Sequence, residues 1–236
     1  MTRLLSIVLV FLSACSPVYV PNVRNSPMFT KAGEFQSIIQ IGNGLEAQSA
    51  FAVTEHVGVM SNFSFINRST NKEETSYHRH RFFEGGLGYY SNQDDSFFEI
   101  FAGYGRGKGT SFESFDFFGS QSAVATGKYE RYFLQPAFGL NKDELNFSFA
   151  PRFSMVDFYH FSTELGQGSV QEDPKFFFEP AIVGRANFAN NHLFAIFQAG
   201  VSLGISDDIY FHRRTLQVSA GLGLRLGAAG TLVNRL

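Results

Sequence analysis

The chain has 236 residues, enough for one large domain or two small ones, and 16% of them are aromatic, with 29 Phe and no Trp. Its formal charge of −2 gives no basic excess of the kind typical of nucleic-acid binding, and the sequence has no acidic tail. The single cysteine, Cys15, excludes a disulfide within the chain, and the lack of Trp excludes a WD-type propeller.

The N-terminal residues have the pattern of a targeting segment. Arg3 precedes an apolar run over residues 4–12 that is too short to cross a bilayer as a helix. The run ends in Leu-Ser-Ala-Cys15, which resembles the lipobox of bacterial lipoproteins. The resemblance implies a lipoprotein signal peptide over residues 1–14 and a lipid on Cys15, and the alternative is an ordinary signal peptide with an incidental cysteine. Residues 15–34 contain three prolines and no periodicity, which predicts a periplasmic linker.

Alternating apolar and polar residues predict β-strands in the rest of the chain. The clearest case is residues 145–155, where the odd positions are apolar and the even positions are small or polar. An even number of strands is expected, because both ends of a closed barrel lie on one side. Ten strands are therefore preferred, and eight would require the first two to be a plug or an outer hairpin. The predicted strands are 35–41, 45–53, 57–66, 77–90, 96–108, 123–140, 145–161, 175–188, 193–205 and 212–226.

Loop lengths and the height of the apolar face both favour a membrane barrel. Short turns at 54–55, 91–95, 141–144 and 190–191 alternate with longer polar loops, as periplasmic turns and outer loops do in such barrels. The apolar face spans roughly 27 Å on several strands, close to the band that a membrane requires. The first outward charges above it are Arg81, Arg106, Glu130 and Asp157.

Residues 35–227 therefore resemble the small outer-membrane β-barrels of the OmpA-like and OmpX-like type. The resemblance implies an all-β, antiparallel up-and-down transmembrane barrel in the outer membrane of a Gram-negative bacterium, followed by a C-terminal tail, 228–236. Such barrels usually end in an aromatic residue that assists assembly, whereas residues 227–236 contain none. The expected partner is outer-membrane lipid, with no nucleic acid, cofactor or metal.

The same parity places eight charged residues on the inward face of the barrel. Charges in a narrow lumen must be paired or hydrated, and side chains mostly fill barrels of eight to ten strands. We therefore predict an ion-pair network that fills the lumen, and a small channel or ligand site is the alternative. The eight residues are Glu46, Glu84, Glu99, Glu179, Arg131, Arg152, Arg185 and Arg225.

Two further patterns bear on function. His160 and Ser162, followed by Glu164, resemble the catalytic set of outer-membrane lipid A deacylases, with Ser162 as nucleophile, His160 as base and Glu164 as the orienting carboxylate. Parity predicts that His160 faces inward, however, whereas access to acyl chains requires the lipid side. The stretch Phe112–Phe118 carries four Phe, which either bind an extracellular ligand or extend the hairpin. The expected function is a non-enzymatic outer-membrane lipoprotein with a structural or surface-binding role.

Overall fold

The computed structural model describes residues 17–69, 76–113, 123–163, 173–207, 209 and 211–227. These residues form ten strands, three of which are briefly interrupted. No part of the described chain forms a helix that is long and apolar enough to cross a membrane. The strands are β1 Phe35–Ile41, β2 Leu45–Ala52, β3 Val57–Ser69, β4 Ser76–Gln93, β5 Ser96–Glu113, β6 Ala123–Asn141, β7 Leu145–Phe149 with Phe153–Thr163, β8 Lys175–Phe178 with Ala181–Phe188, β9 Leu193–Val201 with Leu203–Gly204, and β10 Leu216–Leu226.

The ten strands close into an antiparallel up-and-down barrel. Each strand pairs with the next one along the chain, and β1 pairs with β10 from Phe35 opposite Leu226 to Ile41 opposite Ala220. The predicted fold class and the count of ten are confirmed. The alternative of eight is wrong, because β1 and β2 belong to the closed wall.

Prolines explain two of the interruptions. The pairing register places Pro136 of β6 opposite Pro151, which separates the two parts of β7, and Pro151 opposite Pro180, which separates the two parts of β8. A proline lacks the N–H group that a strand needs for its ladder. The register is the same on both sides of the prolines, so each pair of segments forms one continuous strand of the wall.

The two ends of the barrel differ in their connections. The turn end carries the connections after β2, β4, β6 and β8, together with the start of β1 and the end of β10. Asp94, Asn190 and Asn191 have φ angles of 53°, 55° and 65° in these turns, a conformation that Asp and Asn tolerate better than most residues. The opposite end, which we call the loop end, carries the short turn at 42–44 and the longer connections after β3, β5, β7 and β9.

Apolar side chains are exposed on the outer surface of every strand. Ile39, Phe83, Leu87 and Phe197 are each more than half exposed. A soluble monomer rarely exposes a contiguous apolar patch of more than a few hundred Å², whereas a complete apolar band is the outer surface of a membrane-spanning barrel. The barrel is therefore of the transmembrane type.

Candidate functional site: the occupied lumen

The chain before β1 lies inside the barrel. Residues 17–29 are all buried, and we call residues 17–34 the luminal segment. This corrects the expectation of a periplasmic linker for the described part of that stretch. The segment lacks a two-residue period because the wall surrounds it on all sides, so it has no solvent face for a polar pattern. Its prolines also keep it from joining the sheet as a further strand.

The luminal segment runs the length of the lumen. Near the turn end the Phe29 ring packs on Tyr90, with centroids 5.2 Å apart, and the Met28 amide donates to Glu99 at 3.0 Å. At the other end the Val18 amide donates to the His212 carbonyl at 3.0 Å, in the connection between β9 and β10. Traced backwards from β1, the segment enters at the turn end and reaches the loop end at Pro17.

A layer of buried charges crosses the middle of the lumen. Four of the eight predicted residues meet here: Glu84 and Glu179 face Arg131 and Arg152. Arg152 Nε lies 2.9 Å from a Glu179 carboxylate oxygen, and Arg152 Nη1 lies 3.6 Å from Glu84. Arg131 forms an ion pair with the other Glu84 oxygen. The wall therefore supplies two carboxylates and two guanidinium groups within one connected network.

The luminal segment completes this network. Asn22 donates to Glu84 at 2.7 Å, and its side-chain oxygen accepts a hydrogen bond from Arg152 at 2.9 Å. Arg24 donates through Nε to the Glu179 backbone carbonyl at 3.0 Å, and its Nη2 lies 3.7 Å from the Glu179 carboxylate. Buried polar networks stabilise a fold when their members are satisfied, and here the segment supplies partners that the wall lacks. Sequence reasoning missed Arg24, and its only signal was a lone Arg in a proline-rich run.

The other four predicted charges form separate contacts. Glu99 accepts hydrogen bonds from Ser26 and Met28, while Arg185 donates to the Pro27 carbonyl at 2.9 Å. Arg225 pairs with Glu34 at 3.2 Å, and Glu46 accepts a hydrogen bond from Ser64 at 2.9 Å. All eight charges thus lie in the lumen, but they do not form a single network: of these four, Glu99, Arg185 and Arg225 contact the luminal segment, and Glu46 contacts the wall.

Aromatic side chains close the lumen at the loop end. Tyr19 packs against Tyr129 and Phe177, with ring centroids 5.4 and 5.2 Å away. The Arg214 amide donates to the Tyr19 carbonyl at 3.0 Å. Because residues 212–214 pair with the segment, β10 begins at Leu216 rather than at the predicted residue 212.

A glycine in the wall makes room for the segment at this level. A Cβ at Gly109 of β5 would lie 2.0 Å from the Val18 carbonyl oxygen. Such a distance is far inside van der Waals contact, so the backbone of the segment approaches the wall here as only glycine allows.

The His160 and Ser162 pair lies outside the lumen. Lys128 is opposite His160 but Tyr129 is opposite Phe158, so Tyr159 is an extra residue in a β-bulge. The bulge reverses the parity, and His160 is exposed on the outer surface, which corrects the inward orientation predicted for it. Within the described chain no hydrogen bond joins His160 to Ser162.

Several predicted features fall partly or wholly outside the described residues. Cys15, Glu164 and the tail 228–236 do so entirely, and of the Phe112–Phe118 stretch only the strand end is described. The Phe112 ring lies 5.5 Å from that of Tyr77. Among the described residues no group of three or more His, Cys, Asp and Glu side chains is arranged to hold a metal ion.

Comparisons with known proteins give a likeness of fold only. No protein-family model matches the chain, and no curated protein matches it. Among solved structures, the chain is similar to the translocator domain of autotransporter NalP from Neisseria meningitidis, with 10% identity and a TM-score of 0.47 over 84% of this chain and 90% of that chain. Membership in the OmpA-like and OmpX-like family stays a prediction.

Proposed function

We propose that this chain is an outer-membrane barrel lipoprotein of a Gram-negative bacterium, with a structural or surface-binding role and a lumen that its own N-terminal segment keeps closed. The burial of residues 17–29 inside the barrel is the observation that carries the proposal. A channel needs a continuous hydrated path, whereas here buried ion pairs and aromatic rings surround the segment at successive levels. The exposed apolar band supports membrane insertion, and the resemblance to OmpA-like barrels supports the outer membrane.

The course of the luminal segment bears on where the lipid anchor lies. The Leu-Ser-Ala-Cys15 run supports lipidation of Cys15. Cys15 comes two positions before Pro17, and two residues span at most ~7 Å. Since the luminal segment reaches the loop end at Pro17, a lipid on Cys15 would enter the leaflet on that side. In outer-membrane barrels the longer loops are extracellular, so we propose an anchor in the outer leaflet rather than the periplasmic one.

Ion conductance in planar bilayers tests whether the barrel is closed. The full chain is expected to give no steady conductance. Deletion of residues 18–29 removes the fully buried part of the luminal segment except Pro17 and should produce open-channel steps, provided that heat-modifiable gel migration shows a folded barrel. Equal conductance from the two proteins would contradict a closed lumen.

A lipid A deacylase is the second candidate function. The bulge at Tyr159 exposes His160 on the outer surface, next to Lys128. Ser162 lies opposite Thr126, which is two residues from Lys128 on the same outward face of β6. This orientation favours access to acyl chains, which the predicted inward orientation did not. This candidate function depends on three residues that are close together in the sequence, His160, Ser162 and Glu164. Mass spectrometry of lipid A tests it.

A further inference from the structure

Four side chains with basic nitrogen atoms form a row on the outer surface of adjacent strands. The pairing register places Arg81 of β4 opposite Lys108 of β5, Lys108 opposite Lys128 of β6, and Lys128 opposite His160 of β7. All four side chains are exposed. Neighbouring strands lie about 4.8 Å apart, so Arg81 and Lys128 are separated by roughly 10 Å across the surface.

The row lies just above the apolar band, toward the loop end. The Tyr104 and Tyr132 rings, with centroids 5.0 Å apart, mark the top of the band, and aromatic residues are typical of the membrane interface. Lys108 and Lys128 follow four residues beyond these tyrosines along β5 and β6. At ~3.3 Å per residue and a tilt of about 40°, the row is roughly 10 Å above the tyrosines, at the depth of lipid headgroups.

Among the described residues no carboxylate pairs with this row. Like charges directly opposite each other on neighbouring strands are destabilising. In the described parts of the chain no carboxylate lies within ion-pair distance of Arg81, Lys108 or Lys128. On the described part of these strands, the outward carboxylates next to the row belong to Glu130 and Asp157, one row closer to the band.

These carboxylates do not remove the excess of positive charge. Glu130 already accepts a hydrogen bond from Arg106 Nε at 2.9 Å, which leaves Asp157 as the other outward carboxylate. The Arg81 guanidinium lies over the Phe65 ring, 5.6 Å from its centroid, which holds it at one end of the row. Arg81 and Lys108 also line a groove of about 650 Å³, in the size range of small-ligand sites.

We propose that the row of Arg81, Lys108 and Lys128 binds the phosphate groups of a membrane lipid headgroup. This deepens the proposed function, on which it rests, because it names the ligand of the outer surface. Arg81 has the planar fork that binds phosphate through two parallel hydrogen bonds, and the two lysines act as point charges. Thr110 and Thr126, whose hydroxyl groups lie 3.3 Å apart one row above the lysines, add hydroxyl groups at the same site.

Binding of lipid A to the purified full-length barrel in detergent, followed by native mass spectrometry, tests the proposal. Lys108→Gln removes one charge from the row, and Lys108→Gln with Lys128→Gln removes two. Lys142→Gln is the matched control, because Lys142 is exposed at the turn end beside Asp95. A charge-assisted hydrogen bond contributes enough that Lys108→Gln should weaken lipid A binding about tenfold. The double variant should weaken it further, and Lys142→Gln should leave it within about twofold.

Dephosphorylated lipid A and inorganic phosphate separate the possible sources of phosphate. The dephosphorylated lipid should not compete with lipid A. Inorganic phosphate that competes as well as lipid A would assign the row to a soluble phosphate compound and overturn the lipid ligand. Unchanged binding in the double variant, or an equal loss in Lys142→Gln, would overturn the site.

A second readout keeps this inference apart from the proposed function. Flotation with vesicles and the heat-modifiable gel shift report membrane insertion of the same variants. A barrel that inserts but binds lipid A without using the row contradicts the inference alone. A wild-type chain that does not insert contradicts the proposed function itself.

Discussion

Arg152 Nε donates to the Glu179 carboxylate at 2.9 Å in the lumen, and both side chains are fully buried. Arg152→Leu would leave Glu179 and Glu84 with fewer partners, and loss of one member of a buried pair typically costs about 3–5 kcal/mol. The next residue, Phe153, is 47% exposed on the outer surface, so Phe153→Leu should have little effect. The temperature at which the heat-modifiable gel shift is lost compares the two variants.

The opposite order of damage would contradict the assignment of faces. If Phe153→Leu destabilised the barrel and Arg152→Leu did not, the apolar band would face inward. No membrane barrel of this register would then be possible.

A disulfide between the luminal segment and the wall should form readily. The hydroxyl oxygens of Ser26 and Ser148 lie 3.0 Å apart, so Ser26→Cys with Ser148→Cys places two thiol groups side by side. Peptide mapping under non-reducing conditions should identify this bridge in the folded full-length chain without added oxidant. The control is Ser26→Cys with Ser64→Cys, because Ser64 contacts Glu46 instead. Equal yields from both pairs would mean that the segment does not hold a fixed position.

The barrel wall could be predicted from the sequence, whereas the content of its lumen could not. A period of two residues and short Asn- and Asp-containing turns define strands and faces locally, so Glu84 and Arg152 could be assigned inward from parity alone. The luminal segment carries no such pattern, since its burial comes from the surrounding wall. The partners that Asn22 and Arg24 find are distant in sequence, and no local signal specifies them.

A different reason explains why the sequence did not predict the orientation of His160. Parity arguments assume an unbroken alternation along the strand. The extra residue at Tyr159 shifts the alternation by one, which reverses every inward and outward assignment beyond it. A single bulge therefore limits what the pattern of β7 can predict toward its end.

Gly109→Ala should loosen the upper part of the luminal segment. The new Cβ would lie 2.0 Å from the Val18 carbonyl oxygen, so the segment or the wall must move. Hydrogen exchange of the Val18 and Arg214 amides, which bond to backbone carbonyls at 3.0 Å, should speed up. Gly184→Ala is the control, because nothing lies within 4 Å of a Cβ there. Unchanged exchange in Gly109→Ala would contradict the close approach of the segment.

Cys15→Ser should block maturation by the lipoprotein pathway, because the mutant lacks the thiol that receives the lipid. Metabolic labelling with palmitate measures this, and labelling that persists in the mutant would contradict lipidation of Cys15. The side of the anchor needs a separate measurement. A short epitope inserted between Ser16 and Pro17 should bind antibody on intact cells, and a second epitope after Asp143, at the turn end, should bind only after permeabilisation. The reverse result would place the anchor in the periplasmic leaflet while leaving lipidation intact.

Ser162→Ala tests the deacylase candidate. We expect the wild-type chain not to remove acyl chains from lipid A, because the proposed role is structural or surface-binding. Mass spectrometry of lipid A from cells that overexpress the wild type, Ser162→Ala or Ser96→Ala measures this directly. Ser96 is exposed at the turn end, at the start of β5, which makes its variant a matched control. Loss of one acyl chain with the wild type and with Ser96→Ala, but not with Ser162→Ala, would establish an enzyme and contradict a purely structural or binding role.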